Sequence, residues 1–99
     1  MESTDIVVRD NPSASRFEVE VDGELAVADY TITPNAIIFP HTEVPKALEG
    51  RGIGKALVTA GLQAARERGL KVIPVCTFFS GYMKKHPETH DLLHPDYPL

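Results

Sequence analysis

The sequence predicts an α/β fold: an antiparallel β-meander, a crossover helix, and one further strand parallel to the last strand of the meander. Three observations carry this. Between Arg16 and Thr42, polar and apolar residues alternate in runs separated by turn signals. At Ile53 the apolar period lengthens to that of a helix and holds to Arg68. A short apolar run, Val72-Ile73-Pro74-Val75, follows at once. A strand, a helix and a strand in that order give a parallel pair with a right-handed connection.

Each element has a local cause. Ile6-Val7-Val8 reads as a short strand ended by Asp10-Asn11-Pro12-Ser13. Arg16 to Val21 places Phe17, Val19 and Val21 on one face and Arg16, Glu18 and Glu20 on the other, a half-buried antiparallel strand. Asp22-Gly23 is a hairpin turn, because both central residues of that turn need positive φ. Glu24 to Thr33 returns, with Ala26, Ala28, Tyr30 and Ile32 on one face. Thr33-Pro34-Asn35 breaks the run, and Ala36 to Thr42 is the next strand. In the helix, Ile53, Leu57, Ala60 and Ala64 form an apolar stripe broadened by Val58, Leu62 and Ala65. Lys55, Thr59, Gln63, Arg66 and Glu67 line the wet side. Gly69 suits the residue after the helix, with Arg66 and Arg68 near the negative end of its dipole. Phe78 to Lys85 reads as a short helix. His86-Pro87-Glu88 opens a last turn or helix that Pro95 and Pro98 stop.

Composition narrows the classes. A chain of 99 residues fits one domain, 1–99. A net charge of −4 supplies no broad phosphate-neutralising surface, which argues against a nucleic-acid binder and suits a cationic amine better. Cys76 is the one cysteine, so no internal disulfide forms and a reducing compartment fits. Met1 to Asp5 is acidic, unlike the start of a signal peptide, and no apolar run is long enough to span a bilayer. The expectation is a cytoplasmic protein.

The chemistry gathers at Glu49-Gly50-Arg51-Gly52-Ile53-Gly54-Lys55-Ala56, between a strand and the main helix. Three alternating glycines leave backbone N–H groups uncovered at a helix N-terminus, which is how proteins hold a diphosphate. Two familiar nucleotide loops fail here. A Walker A loop needs Gly where Glu49 stands and Ser or Thr where Ala56 stands. The dinucleotide fingerprint needs Gly where Lys55 stands, and it follows the first strand of a parallel unit rather than a meander.

The stretch Arg51-Gly52-Ile53-Gly54-Lys55-Ala56-Leu57, after a meander and before a helix, resembles the acetyl-CoA loop of the GNAT superfamily of N-acetyltransferases. The superfamily pattern is Gln/Arg-x-x-Gly-x-Gly/Ala. Gly52 and Gly54 match its last two fixed places, and Glu49 departs from the first. The likeness extends to a very small, single-domain branch, the YjdJ type, through Val44-Pro45, Pro74-Val75-Cys76, Tyr82 and His86-Pro87. It covers about Phe17 to Asp91.

The resemblance implies a minimal GNAT fold without the terminal β-hairpin of larger members, and a gap between His41–Val44 and Val75–Cys76 that takes the pantetheine arm. Acetyl-CoA is the implied co-substrate and an amine the acceptor, with no nucleic-acid or membrane partner. Substrate enclosure is then left incomplete, or completed by the last segment or a partner. Gly50, Arg51, Gly52, Ile53, Gly54, Lys55 and Ala56 would hold the diphosphate, Val44 the pantetheine by main-chain pairing, and Lys85 a phosphate. Cys76, at a strand end and just before a helix start, would accept the acetyl group or protonate the departing CoA sulfur. Tyr82 would donate to that sulfur. His41 and Glu43, two apart on a strand and so on one face, would take the proton of the amine. The alternative is a CoA-binding or protein-interaction module without turnover. His86, His90 and His94 are spaced four apart, with Asp91 beside them, but Pro87 and Pro95 bracket the run and no metal site is expected.

Overall fold

A computed structural model describes residues 6–99; the signal-peptide reading at Met1 to Asp5 lies outside them. Five strands form one sheet in chain order: β1 (Arg9–Asn11), β2 (Arg16–Val21), β3 (Glu24–Ile32), β4 (Ala36–Glu43) and β5 (Lys71–Ile73). Neighbours are antiparallel except β4 and β5, which are parallel. The helices are α1 (Ile53–Arg68) and α2 (Thr77–Lys85), with 3-10 turns at Lys46–Leu48 and Pro87–Leu92. This is the α/β arrangement predicted, with the parallel strand after the crossover helix.

The first strand is a correction. Ile6 to Val8 is not a strand; pairing begins at Arg9, opposite Glu18. The reason is electrostatic. Glu18 is buried on β2 and needs partners, which Arg16 (2.7 Å), Asn11 (3.1 Å) and Arg9 (3.8 Å) provide. Hydrogen bonds from Arg16 and then Asn11 hold its carboxyl below the ordinary range. Ile6 and Val8 pack against the edge of the core instead. Nearby, the Tyr30 hydroxyl donates to Asp10 at 2.6 Å; burial, then that bond, push the phenol up to about 12.

The β2–β3 hairpin forms as its turn residues require, with Asp22 at φ 53° and Gly23 at φ 78°. Strand β4 is less regular. Asp29 pairs with His41 but Thr31 pairs with Ile38, so β4 carries one residue more than β3 across this stretch. That bulge contains Pro40, which has no N–H to give to a ladder. The extra residue resets the alternation. Ile37 and Phe39 are buried before it, and Thr42 is buried after it, while His41 and Glu43 are exposed.

Helix α1 has the predicted bounds and ends at Gly69 (φ 67°), whose N–H bonds to Ala65 and Arg66. Its buried stripe is Ile53, Leu57, Val58, Gly61, Leu62 and Ala65, turned slightly from the expected centre; Ala60 and Ala64 are half-buried. Gly61 explains the turn. A Cβ there would lie 2.9 Å from ring carbons of both Phe39 and Phe79, which stack at 3.9 Å. Glycine thus lets α1, α2 and β4 meet on one side of the sheet. Among the described residues no helix covers the other side, which carries Asp29, His41 and Glu43 beside β4. After the 3-10 turn, Leu93 bridges Val72 and the His94 N–H bonds to Val72 O at 3.0 Å. The last segment therefore covers part of the outer edge of β5.

Candidate functional site

The site is built where β4 parts from β5. Their ladder runs from Ala36/Lys71 to Ile38/Ile73, and one more bond, Cys76 N–H to Phe39 O at 3.0 Å, closes it. Beyond Phe39 no backbone bond joins β4 to β5 or α2 among the described residues. The chain after Cys76 turns away into α2, while β4 runs on beside β3 as far as Glu43. One edge of Pro40 to Glu43 is left open, at the carboxyl ends of two parallel strands. Crevices of this kind commonly hold ligands.

The glycine loop closes one end of the crevice. Buried Leu48 anchors the 3-10 turn, Glu49 is extended, and Gly50 (φ 80°) and Gly52 (φ 78°) take left-handed conformations that β-branched residues disfavour. Gly52 is the residue before α1 and offers no side-chain cap. The N–H groups of Ile53, Gly54 and Lys55 have no protein acceptor among the described residues, whereas the Ala56 N–H bonds to Gly52 O at 3.0 Å. Three uncapped amides thus point out of the positive end of a 16-residue helix. A Cβ on Gly50 or Gly52 would meet nothing within 4 Å, so the space above them is clear. Gly54 differs: a Cβ there would fall 2.6 Å from Cε1 of Phe78. Gly54 is needed for the close approach of α2, a packing role the sequence alone does not reveal.

Phe78 is 43% exposed although it lies against α1, and it sits two residues after Cys76. It therefore joins the amide turn to the thiol. Cys76 itself precedes α2, whose first turn also lacks a side-chain cap. Its Sγ lies 3.1 Å from Oγ1 of Thr42, a buried residue of β4 that sequence reading passed over. The bulge at Pro40 was the available signal, since it decides which β4 residue faces the thiol.

The remaining predicted residues fall into three groups. His41 and Glu43 are 3.5 Å apart and exposed, on the face opposite Thr42. Strand alternation brings them to the rim of the crevice, not to Cys76. Val44 is half-buried just after β4, at the open edge. Arg51 reaches Asp22 at 3.6 Å, tying the loop to the β2–β3 turn, while Lys55 and Lys85 are exposed. Tyr82 is half-buried one turn after Phe78, and stacks on His86 at 3.8 Å. The histidines serve the local backbone: His86 Nδ1 pairs with Tyr82 O, His90 Nε2 with Met83 O, and His94 Nδ1 accepts from Asp96.

A meander whose last strand parts from a parallel neighbour beside an uncapped, glycine-led helix is the arrangement of an acyl-CoA-dependent N-acyltransferase. The GCN5-related N-acetyltransferase family profile matches residues 16–92, and the chain belongs to that family of acetyltransferases. Among curated relatives it is 35% identical to protein NATD1 of Gallus gallus over 92 residues, covering 90% of this chain and 84% of that protein. It is 37% identical to NATD1 of Mus musculus over 75 residues, 73% of this chain and 68% of that one. The solution structure of a GCN5-like protein from Staphylococcus aureus superposes with a TM-score of 0.71 at 28% identity, covering 93% of this chain and 91% of that one. The two folds agree over nearly their full lengths, so the five-stranded sheet and its helices are those of a GNAT protein. No helix among the described residues is long and apolar enough to cross a membrane.

Proposed function

We propose that this chain transfers an acetyl group from acetyl-CoA to an amine, with Cys76 at the reacting thioester. The observation that carries this is the link through Phe78: the ring packs on Gly54 of the uncapped turn and stands two residues from the thiol. The diphosphate is held by the amides between Gly50 and Ala56, with Arg51, Lys55 and Lys85 available to its charge. The pantetheine arm lies along the open edge of β4 as far as Val44. The thioester then reaches Cys76, and Tyr82 lines the approach of the CoA sulfur. The amine arrives from the bare face of the sheet, where His41 and Glu43 take its proton.

Cys76 acts in one of two ways. As a thiolate, its Sγ attacks the thioester carbonyl, the bond to the CoA sulfur breaks, and that sulfur leaves with the electron pair and takes a proton. The amine then attacks the acetyl-thioester on Cys76, Sγ leaves, and the amine proton passes to His41 or Glu43. As a thiol, Cys76 instead gives its proton to the CoA sulfur while the amine attacks directly. Intact mass after incubation with acetyl-CoA and no acceptor separates these. A gain of about 42 Da, acetyl for hydrogen, localised to Cys76 supports the covalent route. Turnover of an amine without that gain supports proton donation. With neither turnover nor mass gain, the acetyl-transfer reading fails.

A further inference from the structure

We infer that Thr42 is a positioning residue for Cys76: its hydroxyl fixes Sγ toward β4 and donates to the sulfur whenever the sulfur carries negative charge. The inference rests on the acetyl-transfer reading for its purpose but not for its test. Thr42 Oγ1 lies 3.1 Å from Cys76 Sγ, and no other side-chain or backbone partner of that hydroxyl exists among the described residues. Thr42 is buried at 9% exposure, so bulk water does not readily replace the sulfur as its partner. A hydroxyl can both donate and accept, so it can serve thiol and thiolate in turn without moving.

The surroundings hold this contact in place. The Cys76 N–H is bound to Phe39 O at 3.0 Å, which fixes the cysteine backbone against β4. The bulge at Pro40 turns Thr42, rather than His41, to the helix-covered side. Cross-strand pairing with Ala28, itself fully buried, leaves room for the Thr42 side chain on that side. The β-branched threonine has few rotamers open to it on a strand, so the hydroxyl direction is set before any ligand arrives. The result is a sulfur aimed into the crevice, at the place where the thioester arrives.

The test compares Thr42→Val, which keeps the shape and loses the hydroxyl, with Thr42→Ser, which keeps the hydroxyl. The readout is the rate constant for alkylation of Cys76 by iodoacetamide at neutral pH, in which the thiolate displaces iodide. A bond from a hydroxyl to a charged partner corresponds to roughly a tenfold or larger effect. Thr42→Val is expected to slow alkylation about tenfold, and Thr42→Ser to stay within about twofold of the parent chain. Unfolding temperatures of both variants verify that the comparison is made on folded protein, and Thr42→Ala is a second hydroxyl-free variant expected to slow alkylation as well. An unchanged or faster rate in Thr42→Val, or an equal fall in Thr42→Ser, overturns the inference. Iodoacetamide needs no coenzyme, so a chain that fails to bind acetyl-CoA would contradict the acetyl-transfer reading and leave this result standing.

Discussion

Gly52→Val is expected to abolish coenzyme A binding in a chain that still folds. Gly52 sits at φ 78°, where a β-branched residue is strained by about 1–2 kcal/mol. For a chain of this size that strain lowers the unfolding temperature by roughly 10 °C. No protein atom lies within 4 Å of the added Cβ, so the interior is undisturbed. The added side chain occupies clear space at the residue immediately before the uncapped amides of Ile53, Gly54 and Lys55, and is expected to obstruct their approach to a phosphate. Losing even two amide-to-phosphate bonds corresponds to at least about a hundredfold in affinity. Gly69→Val is the matched control: φ is 67°, the Cβ again meets nothing within 4 Å, and the site is the other end of α1. It should lose similar stability and keep its affinity, as measured by calorimetry with acetyl-CoA. Equal affinities in the two variants would remove the loop from the binding site. Gly54→Val is the less clean choice, because it displaces Phe78 as well.

Cys76→Ala should lower the rate of acetyl transfer to an amine by at least about a hundredfold, the usual scale for removing a group that attacks or protonates the reacting atoms. Coenzyme affinity should stay within about threefold, because the amides proposed to hold the diphosphate are untouched and a thiol contributes little to ground-state binding. The structural cost is small. Cys76 is only half-buried, and the backbone bond from its N–H to Phe39 O survives the change. Single-turnover rates at saturating acetyl-CoA, alongside titration of binding, measure both quantities. A variant that transfers acetyl at the parent rate assigns Cys76 to packing.

Much of the scaffold was legible in the amino-acid order because its causes are local. The helix from Ile53 to Arg68 has a long apolar stripe, a glycine at its end and basic residues in its last turn. The Asp22-Gly23 turn requires a backbone geometry few other pairs supply. The misreadings are non-local. Ile6 to Val8 has strand composition, yet β1 forms three residues later because Glu18 needs Arg9 and Asn11 beside it. Gly61 on α1 matters for a similarly non-local reason: Phe39, far away in sequence, and Phe79 need its missing Cβ. The last segment, by contrast, is a 3-10 turn over Pro87–Leu92, in keeping with the turn or helix that His86-Pro87 predicts.

The site shows the same division. The amide turn was visible as a glycine spacing; Cys76, expected to end the strand Val72 to Val75, instead lies three residues beyond β5, at the residue before α2. Their connection was not visible, since it runs through the Gly54–Phe78 contact, between residues far apart in sequence. Thr42 was hidden for a related reason. Counting alternate residues from Ile37 without a bulge puts His41, not Thr42, on the buried side. Pro40 within a strand was the mark of the irregularity, and its meaning emerges once the register against β3 is known.

The central claim is that the uncapped amides opening α1 grip the pyrophosphate of coenzyme A. Amide-resolved NMR titration of the 15N-labelled chain with acetyl-CoA tests it most directly. The account predicts saturable shifts that are largest at Gly50 to Ala56, with a second group at Cys76 to Phe79. Shifts confined to other parts of the sheet, or a spectrum unchanged at millimolar coenzyme, would contradict it.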